Sequence, residues 1–234
     1  MTSCCLYYTH HRHDPAIESA CRAQLDAARG SIPLVAVGLG PFSYGDITIW
    51  LSYHPGPLTL HRQILAGLEV CDADWVYFCE CDVLYHPAHF QWYAFSDGAF
   101  WYNSNVWKVR YADGHAVWTD GLQQTSGLCA DRVLLLDHYR RRCAEIERDG
   151  FNRHYEPGPK TSRFLALNYQ AEYPNLDIRH DRNLTRSKWS PDEFRNQRYA
   201  AGWMEADEVN GWGVTGPIMD AIRESRYEPT RKEC

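Results

Sequence analysis

An uninterrupted apolar run, Trp75 to Cys79, is followed at once by Glu80, Cys81 and Asp82. A strand that is apolar at every position is typical of a parallel sheet covered on both faces. In extended chain, residues two apart point to the same side, so Glu80 and Asp82 are expected to present their carboxylates together. The sequence therefore predicts an acidic pair at the carboxyl edge of a sheet, where open α/β folds bind ligands.

Strand-like and helix-like segments alternate through the first half of the chain, as they do in a parallel sheet with crossover helices. The predicted strands are residues 4–9, 32–39 and 75–79. Asp14 as N-cap and Pro15 at the first position open a helix that stops at Gly30, and a second helix spans Pro57–Val70. We therefore predict an α/β fold with a mostly parallel sheet flanked by helices.

The second half is less regular. A short helix is expected at residues 86–95, and segments 100–110 and 115–118 flank the turn dipeptide Asp113-Gly114, which predicts a small antiparallel hairpin. A long helix is predicted from 131 to 148 and a last strand from 176 to 180. The residues after Ser187 are polar and rich in Trp and Gly, and we interpret them as a C-terminal segment that wraps around a single domain.

Composition excludes several classes of protein. The 24 basic and 30 acidic residues give a net charge of −6, which argues against a generic cationic coat for nucleic acid. The sequence shows no secretory signal and no transmembrane run, so a cytoplasmic, intracellular location is expected. Most of the nine cysteines lie in apolar runs, as reduced core thiols do, so we expect no disulfide framework.

Two adjacent carboxylates repel each other unless a cation lies between them. Hard oxygen ligands select Mg²⁺ or Mn²⁺, and an ion held by few protein groups keeps positions open for the oxygens of a diphosphate. The competing interpretation of Glu80 and Asp82 is a solvated acidic turn.

The order strand, helix, strand, helix, apolar strand, acidic-x-Asp resembles the GT-A glycosyltransferases, in element order over residues 3–186. The matching stretch is Tyr77-Phe78-Cys79-Glu80-Cys81-Asp82-Val83-Leu84-Tyr85, with Glu in place of the first Asp. The resemblance implies a GT-A-like (Rossmann-like) fold. It also implies transfer of a sugar, of hexosyl type, from a nucleoside diphosphate sugar such as a UDP-sugar, with Mn²⁺ or Mg²⁺ held by Glu80, Asp82 and a later histidine, His180.

The resemblance also implies residues that contact the nucleotide-sugar. It places Tyr8 and Thr9 at the end of the first strand, Gln63 on the helix before the metal motif, and three residues after His180 able to hold phosphate. Those three residues are Arg182, Thr185 and Arg186. His10, His11 and His13 form a cluster at the same edge. We favour titrating imidazoles on a surface loop, with a position near the nucleotide pocket as the alternative.

An inverting enzyme needs a carboxylate that takes the proton of the acceptor hydroxyl. By chain order Glu156 is our candidate, with Asp131 and Asp120 as competitors, although capping of the long helix also explains Asp131. A retaining enzyme would need no such base.

The acceptor is the least constrained part of the prediction. Residues 179–198 hold six basic and three acidic residues, a local +3 that suits phosphates of the donor or a nucleic-acid backbone. This region is similar to small phage-type GT-A proteins, some of which modify hydroxymethylated pyrimidines in DNA. Glycans, proteins and small molecules are the alternatives. The resemblance implies three parts within the single domain: residues 1–95 bind the nucleotide-sugar, residues 96–186 bind the acceptor, and residues 187–234 form the wrapping C-terminal segment.

Two other functions remain open from the sequence. A nucleotidyltransferase could use the same carboxylates, although Leu39-Gly40-Pro41-Phe42 lacks the basic residue expected of a phosphate loop. A zinc-stapled binding module could use Cys79, Cys81, His86 and His89, although zinc knuckles usually space their cysteines more widely.

Overall fold

The computed structural model describes residues 1–93, 98–158, 164–180 and 202–230. Its strands are β1 Ser3–Thr9, β2 Leu34–Gly38, β3 Ile47–Trp50, β4 Trp75–Glu80, β5 Val83–Leu84, β6 Phe100–Asn103, β7 Val106–Arg110, β8 Ala116–Trp118, β9 Leu128–Asp131, β10 Ala166–Tyr169, β11 Asn175–Arg179, β12 Met204–Ala206, β13 Glu208–Val209 and β14 Gly213–Val214. Its α-helices are α1 Pro15–Arg29, α2 Pro57–Val70, α3 Arg132–Asp149 and α4 Thr215–Arg223, and 3₁₀ turns span Pro87–Gln91, Thr125–Gly127 and Arg153–Tyr155.

The central sheet has seven strands in the order β10-β6-β9-β4-β1-β2-β3. Strands β3, β2, β1 and β4 run parallel to one another, and β10 runs parallel to β6. Only β9 opposes its neighbours, β4 and β6. The predicted mostly parallel sheet is confirmed, and the carboxyl ends of β1, β2 and β4 meet at one edge.

Helices cover both faces of this sheet. On one face Leu6 and Phe78 pack with residues of α2 and α3, and on the other Tyr7 and Tyr77 pack with Leu25 of α1. Helix α2 lies so close to β1 that a Cβ on Gly67 would lie 2.2 Å from a Leu6 methyl carbon. The apolar β4 is therefore buried on both sides, as its sequence predicts.

A second sheet has the order β12-β8-β7-β11-β5. Strands β7 and β8 form the antiparallel hairpin predicted around Asp113 and Gly114. Strand β5 follows β4 after a two-residue turn and pairs antiparallel with β11. This pairing brings the end of β11 to the end of β4.

Helix boundaries follow the predicted caps. The Asp14 carboxylate accepts a hydrogen bond from the Ala16 amide and Pro15 begins α1, which ends at Gly30 with φ +59°. Helix α2 has the predicted bounds, Pro57–Val70. Asp131 caps α3, which therefore begins at Arg132.

Three expectations were wrong in detail. Segment 100–110 is two strands, β6 and β7, which belong to different sheets, because the chain leaves the central sheet at Ser104 and Asn105. Where a helix was expected at 86–95, the described part forms only the 3₁₀ turn Pro87–Gln91. Strand β11 is not the last, because three short strands follow it.

The described part of the C-terminal region contains more regular structure than its composition suggests. Strand β12 extends the second sheet beside β8, and Met219 and Ile222 of α4 pack with Ile17 and Cys21 of α1. Among the described residues, none of the helices combines the length and the hydropathy that crossing a membrane requires.

Candidate active site

The carboxyl edge of the central sheet collects the predicted acidic motif. Tyr8 of β1 lies opposite Glu80 of β4, and Thr9 lies opposite Gly38 of β2. Strand β4 ends at Glu80, and the chain turns at Cys81 and Asp82 instead of continuing extended. The two carboxylates are therefore neighbours with different partners.

Glu80 is held by the aromatic side chains around it. The Tyr8 hydroxyl donates to Glu80 Oε1 over 2.9 Å, and the Glu80 amide donates to the Tyr85 hydroxyl over 2.8 Å. Burial, followed by the charge of Asp82, raises the pKa of Glu80 to about 8. A cation beside Glu80 and Asp82 would oppose both effects on the pKa of Glu80.

Asp82 lies in the turn and is tied to β11 through the backbone. Its carbonyl accepts a hydrogen bond of 2.9 Å from the Ile178 amide, and its Oδ2 lies 3.8 Å from His180 Nε2. Burial alone would raise the pKa of Asp82, but His180 and the positive charge of His13 outweigh it, so this pKa lies below its usual value. His180 therefore lies near Asp82, and its role as a metal ligand stays a prediction.

A third residue joins them from the loop between β1 and α1. His13 Nδ1 lies 3.2 Å from His180 Nε2. Ligand atoms of His13, Asp82 and His180 all lie within 4.8 Å of one another, and they form the one such cluster of His, Cys, Asp and Glu found across the described ranges. Glu80 lies outside this cluster, so its role as a metal ligand stays a prediction.

The interpretation of the histidine loop as surface imidazoles was wrong for His13, which is only 7% exposed. His10 stacks on it at a ring separation of 4.4 Å, and burial, helped by the charge of His13, lowers the pKa of His10 to about 4. His11 points the other way and contacts Glu18 at 3.2 Å. Side-chain direction decides which imidazole belongs to the site, and sequence spacing alone does not reveal it.

The donor set of this cluster fits a divalent ion. It consists of two imidazole nitrogens and one carboxylate, and the His180 side chain is 3% and the Asp82 side chain 13% exposed. Imidazole together with carboxylate is a common ligand set for first-row transition ions. The described residues therefore could hold a metal at the place where the acidic motif predicted one.

The residues predicted to contact the nucleotide sit at this edge with their side chains already engaged. Gln63 donates from Nε2 to the carbonyls of Thr9 at 2.9 Å and Val37 at 3.2 Å, which ties together the ends of β1 and β2. The Thr9 hydroxyl donates to Glu18 at 3.2 Å. Contacts of Tyr8, Thr9 and Gln63 with a donor stay predictions. Arg182, Thr185 and Arg186 lie outside the described residues.

The Glu156 carboxylate contacts the side chains of Arg142 and His61. Its Oε1 accepts hydrogen bonds from Arg142 Nε at 2.8 Å and from a terminal guanidinium nitrogen at 2.6 Å, and it lies 3.1 Å from His61 Nε2. Burial would raise the pKa of Glu156, but His61 and Arg142 lower it below its usual value. A carboxylate held in this way is a weak base, and the geometry favours a structural role for Glu156 over the predicted catalytic one.

Asp131 lies at the opposite end of the sheet from the acidic motif. It pairs with Trp75, the first residue of β4, whereas Glu80 is the last. Five residue steps along the strand separate the two positions, about 16 Å. Its carboxylate accepts from the amides of Val133 and Leu134, so the capping role accounts for Asp131 and the predicted role as a base does not fit this position.

Sequence reasoning missed a polar group behind the motif. Asp177 of β11 is 2% exposed, accepts a hydrogen bond of 2.7 Å from Gln124 Nε2 and contacts Arg179 at 3.3 Å. The charge of Asp177 contributes to the raised pKa of Glu80, and that of Arg179 opposes it. The sequence held one signal for this group. Asp177 and Arg179 are two positions apart in a predicted strand, which places both side chains on the same side.

The zinc alternative does not fit the structure. Cys79 and Cys81 are buried in the apolar core, fully buried His89 contacts the Asn103 side chain, and His86 accepts from the Ala88 amide. Within the described ranges these four side chains form no cluster of metal-ligand geometry.

No family model and no curated protein matches the chain. Among solved structures, glucosyl-3-phosphoglycerate synthase from Mycobacterium tuberculosis, in complex with Mn²⁺, UDP and phosphoglyceric acid, is similar at 12% identity over 71% of this chain and 68% of that chain, with a TM-score of 0.38. A glycosyltransferase involved in glycosylation of the major capsid of PBCV-1 is similar at 10% identity over 73% of this chain and 82% of that chain, with a TM-score of 0.39. Similarity at this level does not identify the activity of the chain.

Proposed function

We propose that the chain is a metal-dependent glycosyltransferase that moves a sugar from a nucleoside diphosphate sugar to an acceptor hydroxyl. One observation carries the proposal: Asp82 of the acidic motif after β4 lies with His180, just after β11, and His13 of the β1–α1 loop at the carboxyl edge of a mostly parallel sheet. Such an edge is where open α/β folds bind nucleotides.

The chemistry requires the bond between the anomeric carbon and the diphosphate to break while the diphosphate gains negative charge. When bound, a divalent ion supplies Lewis-acid stabilisation of that leaving group. Asp82 and His180 would hold the ion, with His13 beside them and Glu80 as the further predicted ligand. Tyr8 fixes the Glu80 carboxylate, and Gln63 fixes the ends of β1 and β2 below the nucleotide.

The predicted phosphate contacts of Arg182, Thr185 and Arg186 belong to the same proposal. They lie two to six residues after His180 in the sequence. Their guanidinium and hydroxyl groups would donate to the oxygens of the diphosphate. We carry forward Mn²⁺ or Mg²⁺ as the ion and UDP as the first nucleotide to test.

Thermal shift with nucleoside diphosphates in the presence and absence of Mn²⁺ tests the donor site. We expect a rise in Tm that needs both components, because a ligand that binds only the folded state stabilises it. Asp82→Asn should abolish the shift, and Asp72→Asn, a change at an exposed acid just after α2, should keep it. The absence of any shift with every nucleotide would overturn the proposal.

The acceptor is tested by transfer of labelled sugar, starting with UDP-glucose. The arms are DNA with hydroxymethylated pyrimidines, plain DNA, glycans, and small hydroxylated molecules. Label on the hydroxymethylated DNA alone would support the DNA-modifying activity that the phage-type resemblance implies, and label on another acceptor would replace it. Release of pyrophosphate from a nucleoside triphosphate would instead identify the chain as a nucleotidyltransferase.

A further inference from the structure

The metal cluster at the sheet edge contains three protein ligands from three separate segments. His13 comes from the β1–α1 loop, Asp82 from the β4–β5 turn and His180 from the end of β11. We propose that these residues hold a divalent transition ion in the absence of nucleotide, so that the ion is resident in the protein and is not delivered with the donor. The inference rests on the proposed function only in placing the donor at the same site.

The separations within the cluster suit ligands of a common ion. Metal–nitrogen bonds in proteins are about 2.0–2.1 Å, so two ligands of one ion lie at most about 4.2 Å apart. The His13–His180 nitrogen pair at 3.2 Å and the His180–Asp82 pair at 3.8 Å both satisfy this limit, and the third pair, His13 and Asp82, lies within 4.8 Å. The distance of 3.2 Å also suits a hydrogen bond between the two rings, which is the alternative that the experiment must exclude.

The donor atoms favour a transition ion over Mg²⁺. Mg²⁺ prefers oxygen ligands and keeps several waters, whereas imidazole suits Zn²⁺, Co²⁺ and similar ions. Two of the three donor atoms of this cluster are imidazole nitrogens. Metal selectivity therefore depends on His13. Without it the site offers one nitrogen and one oxygen donor atom, and with it two nitrogens and one oxygen.

The ligands are held in place by neighbouring groups. The Ile178 amide fixes the Asp82 backbone, and the ring of His10 stacks on that of His13 at 4.4 Å. The Asp14 cap fixes the start of α1 directly after His13. Because these contacts orient the ligands before anything binds, the three side chains need no nucleotide to assemble the site.

Co²⁺ binding to the full chain without nucleotide tests the inference by calorimetry and visible absorption. We expect one ion per chain, d–d absorption bands on binding, and retention of the ion in the presence of a hundredfold excess of Mg²⁺. His13→Gln should weaken binding about tenfold or more. His11→Gln, the same substitution on the imidazole that faces Glu18, should leave Co²⁺ affinity unchanged and controls for binding by a histidine-rich loop.

A measurement on the unaltered protein guards against misfolding of the variant. Pulsed EPR of bound Cu²⁺ should show coupling to two imidazole nitrogens, and one or none would overturn the inference. Binding that appears only with UDP, or that Mg²⁺ reverses, would also overturn it.

If the ion binds but no nucleotide-sugar is used, the proposed function fails and this inference stands. If transfer proceeds and His13→Gln binds metal normally, the proposed function stands and this inference fails.

Discussion

Two half-buried carboxylates of this protein, Glu156 and Asp82, each lie near histidine, and their surroundings differ. Glu156 accepts two hydrogen bonds from Arg142 besides its contact with His61. Asp82 lies 3.8 Å from His180, with His13 beyond it. Arg142 compensates the charge of Glu156 within the fold. The cluster around Asp82 instead has imidazole and carboxylate groups that could hold a cation, and we propose that this difference separates a structural carboxylate from a functional one.

Asp82→Asn tests the functional side of the comparison and should have the largest effect. The loss of a charged ligand removes stabilisation of the leaving group, which is worth several kcal/mol, so we expect transfer activity to fall about 10³-fold. Steady-state kinetics at saturating Mn²⁺ measure this change. Retention of more than a tenth of the activity, with the melting curve unchanged, would show that Asp82 is not at the reacting centre.

Glu156→Gln tests the structural side. Breaking this ion pair leaves the Arg142 guanidinium, whose side chain is 1% exposed, with Glu145 at 3.3 Å as its remaining carboxylate partner, so the free energy of unfolding should fall by about 2 kcal/mol. Urea denaturation measures it. Glu147→Gln, which breaks the exposed pair with Arg62, is the matched control and should cost less than about 1 kcal/mol.

The same variant also distinguishes the structural role from the predicted catalytic one. If Glu156 only holds the 151–158 region to α2 and α3, kcat of the folded variant should stay within about threefold of the wild-type value. A loss of two orders of magnitude in kcat without a loss of stability would restore Glu156 as the base.

The outcome shows which parts of the molecule are readable from local sequence. Strand β4, helix α2 and the two aspartate caps were predictable because an apolar run, a helical stripe and a capping residue each act over a few positions. The position of His180 beside Asp82 was predictable from the resemblance. His13 was not, because its membership depends on how the β1–α1 loop turns one imidazole inward and a neighbouring one outward.

Long-range pairing limited the rest of the prediction. Asp177 reaches the site because β11 pairs with β5, a contact between segments more than ninety residues apart. Glu156 met Arg142 and His61 because α2 and α3 pack side by side. Chain order suggested the position of Glu156 but carried no information on these partners, so it could not separate a base from an ion pair.

Glu18 is an intermediate case, because it adjoins the histidine loop but is compensated by Arg22. Burial raises its pKa, but His11, Arg22 and Thr9 around the carboxylate outweigh burial and give a net pKa of about 2. A carboxyl group with a lowered pKa in the folded state stabilises the fold above its unfolded pKa, and that contribution is lost as the pH falls.

We therefore expect stability to decline between about pH 4.5 and pH 2, and Glu18→Gln to remove about 2 kcal/mol of that dependence. Urea denaturation across this range measures the slope. Glu69→Gln, at an exposed pair with Arg140, should leave the slope as in the wild type. An unchanged slope in Glu18→Gln would show that Arg22 does not compensate Glu18 as Arg142 compensates Glu156.

The smallest effect on stability is expected from substitution of the two helix caps, Asp14 and Asp131, which lie at different distances from the site. Asp131→Ala and Asp14→Ala should each lower the free energy of unfolding by about 1 kcal/mol, because each removes the acceptor for amides in the first helical turn. Asp14 is adjacent to His13, whereas Asp131 pairs with the start of β4. Only Asp14→Ala should therefore weaken Co²⁺ binding as well. A loss of transfer activity in Asp131→Ala beyond its loss of stability would contradict the placement of Asp131 outside the site, since a cap about 16 Å from Glu80 has no route to the reacting atoms.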